Sequence, residues 1–378
     1  GSEMCIRDRV MIKVYVSRFD REVDSEPHLE CYEIEQTPQM KVLDAINAIN
    51  EKYDADISIR SSCRAGQCGS CGILFNGNGA LACQKDIKDG AIIEPQNFPV
   101  IKDLIVDKSQ IEQEVKDLQL SLNPQRHDDD LNENLTPENI KNTKKVRSCI
   151  ECYSCFATCP VIKFIKTKFG GPYIMRYLSK FESDPRDEFD RLDESLKEGL
   201  YKCTSCGKCK AVCPKDINTF GDAIERLREI ACKEGKGPLP EHVAFKENIE
   251  KTGRSIKAEG PSFIEEVKND NGSKIALFTG CMVDNKLHHI GEALIDVLEA
   301  NGITIDIPEG QVCCGSPLIR TGQTDMVQEL VDGGTFLLNC PWDMEGLEKH
   351  LPGQVKAFIA NHNIKFYVID GVKIGIET

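Results

Sequence analysis

Cysteines carry the chemistry that can be read most directly from this chain. The first set is Cys63-x4-Cys68-x2-Cys71-x11-Cys83, with Gly66, Gly69 and Ser70 between its members. Three thiolates on one loop and a fourth arriving later is the plant-type spacing for a [2Fe–2S] cluster. The small residues let backbone amides approach the sulfurs. Zinc, or an accidental grouping, is the competing reading, and zinc favours other spacings. Two further runs are identical in spacing: Cys149-x2-Cys152-x2-Cys155-x3-Cys159-Pro160 and Cys203-x2-Cys206-x2-Cys209-x3-Cys213-Pro214. This is the bacterial ferredoxin run, in which the fourth cysteine serves the other cluster. The expected ligand sets are therefore Cys149, Cys152, Cys155 with Cys213, and Cys203, Cys206, Cys209 with Cys159, each holding a [4Fe–4S] cluster. Two zinc ribbons or two redox CxxC pairs are the rivals. A last group, Cys281-x31-Cys313-Cys314-Gly315, places one cysteine after a strand and two in a following turn. Buried free cysteines are common, but adjacent cysteines with a glycine favour a ligand or catalytic role, so Cys281, Cys313 and Cys314 form a candidate catalytic site.

The elements that must position these residues follow from periodicity. Residues 11–17 and 30–35 alternate as strands, and Val42, Ala45, Ile46, Ile49 and Tyr53 recur at helical spacing. A strand over 72–75, a turn at Asn76-Gly77-Asn78-Gly79 and a strand over 91–95 complete a small α+β unit around the first cysteine loop. From 146 to about 250 the pattern is helical. From 274 it becomes β–α–β: a strand over 274–279, an amphipathic helix ending at Asn301-Gly302, and a second strand over 303–308. A helix around 343–362 and a strand over 365–370 close the pattern.

The chain has 47 basic and 61 acidic residues and a net charge of −14, which speaks against a nucleic-acid partner. Apolar runs such as Ile275–Phe278 are far shorter than the roughly 18 residues of a membrane span. Clustered rather than dispersed cysteines, with no secretion signal, point to a reducing cytoplasm. Cys31, Cys232 and Cys340 read as packed cysteines, and His28, His288 and His289 as surface or packing residues. No nucleotide, flavin, hydrolase or haem motif is present.

In this order the cysteine sets resemble the iron–sulfur subunit of the succinate dehydrogenase/fumarate reductase family. Arg60–Gly72, the Leu81–Gln84 stretch, Phe98–Asp107, the run from Cys149 to Pro160, Gly171-Pro172, Ser183–Glu188 and Cys213–Asn218 carry the resemblance over residues 11 to about 250. It implies a β-grasp ferredoxin domain over 11–106, a linker over 107–145 and an all-α ferredoxin domain over 146–250. It also implies an FAD-containing flavoprotein partner, where succinate and fumarate interconvert, and an anchor subunit that would bring the chain to the cytoplasmic face of a membrane. Quinone-reactive members have three cysteines in the last run and a [3Fe–4S] cluster, with Trp after the first Cys-Pro and His after the first cysteine of the last run. Here Cys206 is an additional ligand, and Val161–Phe164 and Thr204 occupy those regions, a departure from the quinone-reactive pattern.

After a polar linker over 251–273, residues 274–332 are similar to the CCG unit of heterodisulfide reductases, though truncated. Both parts in one chain resemble the thiol-linked branch of the family, in which coenzyme M and coenzyme B thiols are oxidised to their heterodisulfide while fumarate is reduced. Residues 333–378 look like a fragment of a pyruvate:ferredoxin oxidoreductase, and residues 1–10 like a non-native leader. A chimeric reading frame is the expectation. The expected fold class is α+β with a truncated α/β unit. The expected function is electron relay by an oxidoreductase subunit inactive on its own. A subunit of a membrane succinate:quinone oxidoreductase and an iron–sulfur sensor are the alternatives.

Overall fold

The computed structural model describes residues 10–123, 136–165, 168–258, 260–272, 275–307, 309–327, 364–369 and 372–377. The chain divides into two compact units, 1–224 and 225–378.

In the first unit, strands β1 (Met11–Arg18), β2 (His28–Glu35), β3 (Gly72–Phe75), β4 (Asn78–Leu81) and β5 (Ala91–Glu94) form one sheet in the order β2-β1-β5-β3-β4. The β1–β5 pair is parallel and the others antiparallel. Helix α1 (Val42–Tyr53) lays Val42, Leu43, Ala45, Ile46 and Ile49 onto this sheet, where they join Val14, Val16, Ile73 and Ile93 in a buried core. Asp44 holds the helix start by accepting from the Lys41 amide at 3.0 Å. The turn between β3 and β4 is two residues, Asn76 and Gly77, both at positive φ, so the strand resumes at Asn78 inside the expected four-residue turn. The short strands β6 (Val100–Lys102) and β7 (Ile105–Val106) follow.

Helices α2 (Ser109–Asp117) and α3 (Pro137–Arg147) lie in the span read as a connection. Thr136 caps α3 by accepting from the Asn139 amide. The rest of the unit is helical, with α4 (Ser154–Thr158), α5 (Pro160–Phe164), α6 (Gly171–Glu182), α7 (Arg191–Lys197) and α8 (Lys208–Ala211). Arg191 and Asp187 form an ion pair at 2.5 Å with side chains 1% and 0% exposed. The same guanidinium donates to the carbonyls of Leu118, Gln119 and Ser121. Those bonds offset the desolvation of a buried charge and tie the end of α2 to α7.

The second unit contains α9 (Arg226–Lys233), α10 (Pro240–Thr252), α11 (Phe263–Val267), β8 (Ile275–Leu277), α12 (Gly280–Asn285), α13 (His288–Ala300), α14 (Ser316–Thr321), β9 (Ile364–Ile369) and β10 (Val372–Glu377). Strand β10 pairs antiparallel with both β8 and β9. Among the described residues, the strand expected over 303–308 gives bridges at Asp306 and Ile307 and no ladder. Asp306 and Ile307 make bridge bonds: Leu277 N–H donates to the Asp306 carbonyl at 2.7 Å, and Ile307 bridges Asn269. Side chains share in these bonds: the Ile307 amide is divided between the Asn269 carbonyl and its Oδ1, and Asp306 Oδ1 accepts from the Asn271 amide. Such side-chain partners compete with sheet pairing. The expected helix around 343–362 and Cys340 lie outside the described residues.

Candidate iron–sulfur and thiol sites

The first cysteine loop is shaped by residues at positive φ: Arg64, Gly66 and Gly69. These bends turn the amides of Ala65, Gln67 and Cys68 toward Cys63 Sγ, at 3.4, 3.3 and 3.3 Å. Hydrogen bonds from Ser70 and from Cys63 pull the exposed Cys68 thiol down to about 6. Burial pushes Cys71 up to about 11, with Cys83 and Cys68 beside it. The Ala82 amide donates to the Cys71 carbonyl at 2.9 Å, which brings the Cys83 turn up to the loop. The four members of the set are thus neighbours.

This loop meets the next cysteine run through bare backbone. A Cβ on Gly69 would stand 2.4 Å from the Ile150 carbonyl oxygen and 3.1 Å from the Cys152 amide nitrogen. One on Gly72 would stand 2.7 Å from the Cys152 carbonyl oxygen. Buried Gln96 donates to that same carbonyl at 2.8 Å, Asn97 donates to the Ala157 carbonyl at 2.6 Å, and Thr158 Oγ1 accepts from the Gly79 amide at 2.7 Å.

In the two ferredoxin-type runs the structure sets Cys213 beside Cys149 and Cys152. It sets Cys159 beside Cys203 and Cys206. Burial pushes the Cys155 thiol well up, and Cys152, Cys209, Cys149 and Cys213 crowd it further. Burial likewise pushes Cys209 to about 12. Cys159, Cys203, Cys206 and Cys209 line a single cavity whose remaining wall includes Pro160, Val161, Phe169 and Phe220. Amides again point at sulfur: Glu151 N–H to Cys149 at 3.4 Å and Ser205 N–H to Cys203 at 3.4 Å. Glu151 and Ser205 adopt positive φ, which the bend requires. Among the described residues no three Cys, His, Asp or Glu side chains close around a single-ion position. Thiolates that bond different irons of one cluster sit farther apart than ligands of one ion. Thiol donors, amides aimed at sulfur and a cysteine-walled cavity fit iron–sulfur clusters.

The second unit brings Cys281, Cys313 and Cys314 together in a different way. The Cys313 thiol lies within hydrogen-bonding reach of both Cys281 and Cys314. Cys281 is drawn down to about 6, first by Cys313, then by the amide and hydroxyl of Ser255 and the charge of Arg254, against burial. Cys314 is also lowered, chiefly by Cys313, while Cys313 itself is held protonated by both neighbours. The arrangement offers two acidified thiols flanking one held protonated, suited to thiol–disulfide exchange or to sulfur ligation. Arg254 and Ser255 are contributions that the sequence did not signal, because they stand in a polar stretch remote in the chain. Arg254 is fixed by Asp284 at 2.7 Å and by the Gln311 carbonyl, and the Gly253 carbonyl accepts from the Cys313 amide at 2.7 Å.

Outside these groups, Cys31 is exposed on β2, and the Cys232 thiol donates to the Thr321 carbonyl at 3.5 Å. His28 contacts Glu30, His289 is exposed, and His288 pairs with the Asp284 carbonyl beside the Phe263 ring. Among the described residues no helix is long and apolar enough to cross a membrane.

Three family models match this chain: a 2Fe-2S iron-sulfur cluster binding domain over 13–113, a 4Fe-4S dicluster domain over 145–217 and a cysteine-rich domain over 275–334. Iron–sulfur clusters of binuclear and tetranuclear kind are therefore its cofactors. The chain is 53% identical over 322 residues to a subunit of the fumarate reductase (CoM/CoB) of Methanothermobacter marburgensis, covering 85% of this chain and 65% of that protein. An uncharacterized iron–sulfur protein of Methanocaldococcus jannaschii is 39% identical over 85% of this chain and 65% of its own length. The chain spans somewhat less than two thirds of these relatives. The fumarate reductase iron–sulfur subunit of Mycobacterium tuberculosis is 35% identical, with 92% of its length covered. Among solved structures, the Sdh1 complex of Mycobacterium smegmatis in the apo form matches at a TM-score of 0.55 and 26% identity, over 61% of this chain and 99% of that one. The chain belongs to the iron–sulfur subunit family of succinate dehydrogenase and fumarate reductase.

Proposed function

We propose that this chain relays electrons between a flavoprotein, at which fumarate and succinate interconvert, and a thiol/heterodisulfide site for coenzyme M and coenzyme B. One [2Fe–2S] and two [4Fe–4S] clusters, when bound, supply the one-electron chemistry. Cys63, Cys68, Cys71 and Cys83 hold the first. Cys149, Cys152, Cys155 and Cys213 hold the second, and Cys159, Cys203, Cys206 and Cys209 the third. The chain's own work is to space these sets and to shield them. Gly69 and Gly72 keep side chains out of the gap between the first two loops, and the amides aimed at Cys63, Cys149 and Cys203 stabilise thiolate charge. Cys281, Cys313 and Cys314 are assigned to the thiol end. The similarity to the Methanothermobacter relative, whose name carries CoM/CoB, favours this end over a quinone. The cytoplasm is the expected location, with the flavoprotein as partner.

The observation that carries the reading is the direct backbone contact of the first two cysteine loops beside a cavity walled by the third set. The test is anaerobic purification, an iron count, and EPR of the oxidised and reduced chain. About ten irons with no oxidised [3Fe–4S] signal are expected from one binuclear and two tetranuclear clusters. A strong oxidised [3Fe–4S] signal that persists without air would remove Cys206 as a ligand and give precedence to the quinone-linked reading.

A further inference from the structure

Arg176 sits on α6 and is 4% exposed. Its Nη1 donates to the Val146 carbonyl at 3.0 Å. Its Nε and Nη2 are buried and have no hydrogen-bond partner. The guanidinium stacks 3.9 Å above the Tyr177 ring and lies 5.6 Å from that of Tyr173. An aromatic face eases a cation's burial but supplies no acceptor for two N–H-bearing nitrogens.

The surroundings add positive charge. Lys180, one turn along α6, has its ammonium pushed down by burial and by the nearby Arg176 and Arg147. No local carboxylate bonds the guanidinium's Nε or Nη2: Asp184 pairs with Arg147 and Arg186, and Glu151 accepts from the Tyr177 hydroxyl. A buried cation with two nitrogens left without an acceptor is unfavourable, so this position calls for an anionic neighbour. Val146, whose carbonyl the guanidinium holds, packs with Cys149 and Cys213, which places Arg176 one residue away from two members of that set. A cluster held by four thiolates is net negative, and more so after reduction.

We propose that Arg176 is the buried counter-cation of the cluster held by Cys149, Cys152, Cys155 and Cys213, and that it raises that cluster's reduction potential. The inference rests on the ligand assignment above. Reduction brings one electron to the cluster, with no proton and no bond change. A fixed positive charge beside it favours the reduced form, since net charge and hydrogen bonding at the sulfurs set such potentials. The neighbouring set at Cys159, Cys203, Cys206 and Cys209 has no such cation among the residues that line its cavity except Lys208, which is exposed and therefore hydrated.

The test is a mediated redox titration of the anaerobically purified full chain, followed by EPR, on wild type, Arg176→Gln and Arg176→Lys. In Arg176→Gln one tetranuclear cluster should become harder to reduce by about tenfold in its equilibrium, 59 mV for one electron. The binuclear and the other tetranuclear midpoints should stay in place, and Arg176→Lys should retain most of the wild-type value. Loss of about four irons in Arg176→Gln with retention in Arg176→Lys would equally support a charge role. Unchanged midpoints, a common shift of all three clusters, or equal iron loss in both variants would overturn the proposal. Failure of the ligand assignment looks different: Cys149→Ser would then leave the iron content of the chain unaltered.

Discussion

The cysteines of the first unit and those of the second are grouped differently. In the first, amides that face Cys63, Cys149 and Cys203 come from the same loop: Ala65, Gln67 and Cys68 for Cys63, Glu151 for Cys149, Ser205 for Cys203. Its sulfurs also meet one another, but in separate pairs, Cys63 with Cys68 and Cys71 with Cys83. In the second, three sulfurs form a row with Cys313 in the middle, and an added donor comes from Ser255, 26 residues before Cys281. A self-contained loop with its amides turned inward suits the ligation of a cluster. A row of three sulfurs suits two-electron thiol chemistry, in which a bond between two of them forms and breaks.

The largest expected effects test that contrast directly. Cys206→Ser should convert one tetranuclear cluster to a [3Fe–4S] form, seen as a new EPR signal of the oxidised chain. Cys281→Ser should leave iron content and cluster spectra unchanged. Iron loss from Cys281→Ser would collapse the distinction, because the thiol group of the second unit would then be a cluster site as well.

A smaller effect separates the glycines that serve the contact between loops from those that merely turn the chain. Gly69 and Gly77 have nearly the same backbone, at φ +72° and +74°. Alanine at Gly77 meets nothing within 4 Å, so it bears the left-handed strain alone, about 1 kcal/mol. Alanine at Gly69 adds a collision with the Ile150 carbonyl, and about 3 kcal/mol is expected in all. In thermal melts of the loaded chain, Gly69→Ala should therefore fall by roughly 6–12 °C and Gly77→Ala by roughly 2–4 °C. Gly69→Ala should also slow the passage of electrons from the binuclear to the tetranuclear cluster in rapid reduction experiments. Equal melts and equal rates would show that the contact is not tight.

What the sequence makes legible follows the same division. Strands β1, β2, β3 and β5 and helix α1 follow their alternation and helical spacing, because each buries one face against a single core. The cysteine runs are legible since a ligand loop is a local object, with spacing and small residues recorded within a dozen positions. Strand 303–308 misleads because alternation reports a buried face and not a pairing partner, and the Asn269 and Asp306 side chains share the backbone donors there. Arg176 carries no pattern at all: it reads as an ordinary helix surface residue until α6 is packed. Ser255 and Arg254 escape for a related reason. Their contact with Cys281 exists only once the chain has returned through β8 to α12.

That long-range contact supports the smallest effect, on thiol reactivity. Cys281 is held near 6 by Cys313 first and by Ser255 next, whereas an ordinary thiol titrates near 8.5. Its reaction with iodoacetamide in the reduced full chain should therefore rise through pH 6 and be nearly level by pH 7.5. Cys313, buried and held protonated, should lag throughout. The sign is that of a stabilised thiolate: removing a donor raises the pKa and slows labelling at pH 6.5, where the thiolate fraction is limiting. Cys313→Ala should slow it most, and Ser255→Ala, which keeps the backbone amide, by about two- to threefold, well under the tenfold of a full pKa unit. Peptide mapping by mass spectrometry reads each cysteine separately. If Cys281 instead followed an ordinary thiol profile in wild type, the second unit would lack the row of three sulfurs about Cys313 that sets it apart from the paired sulfurs of the first.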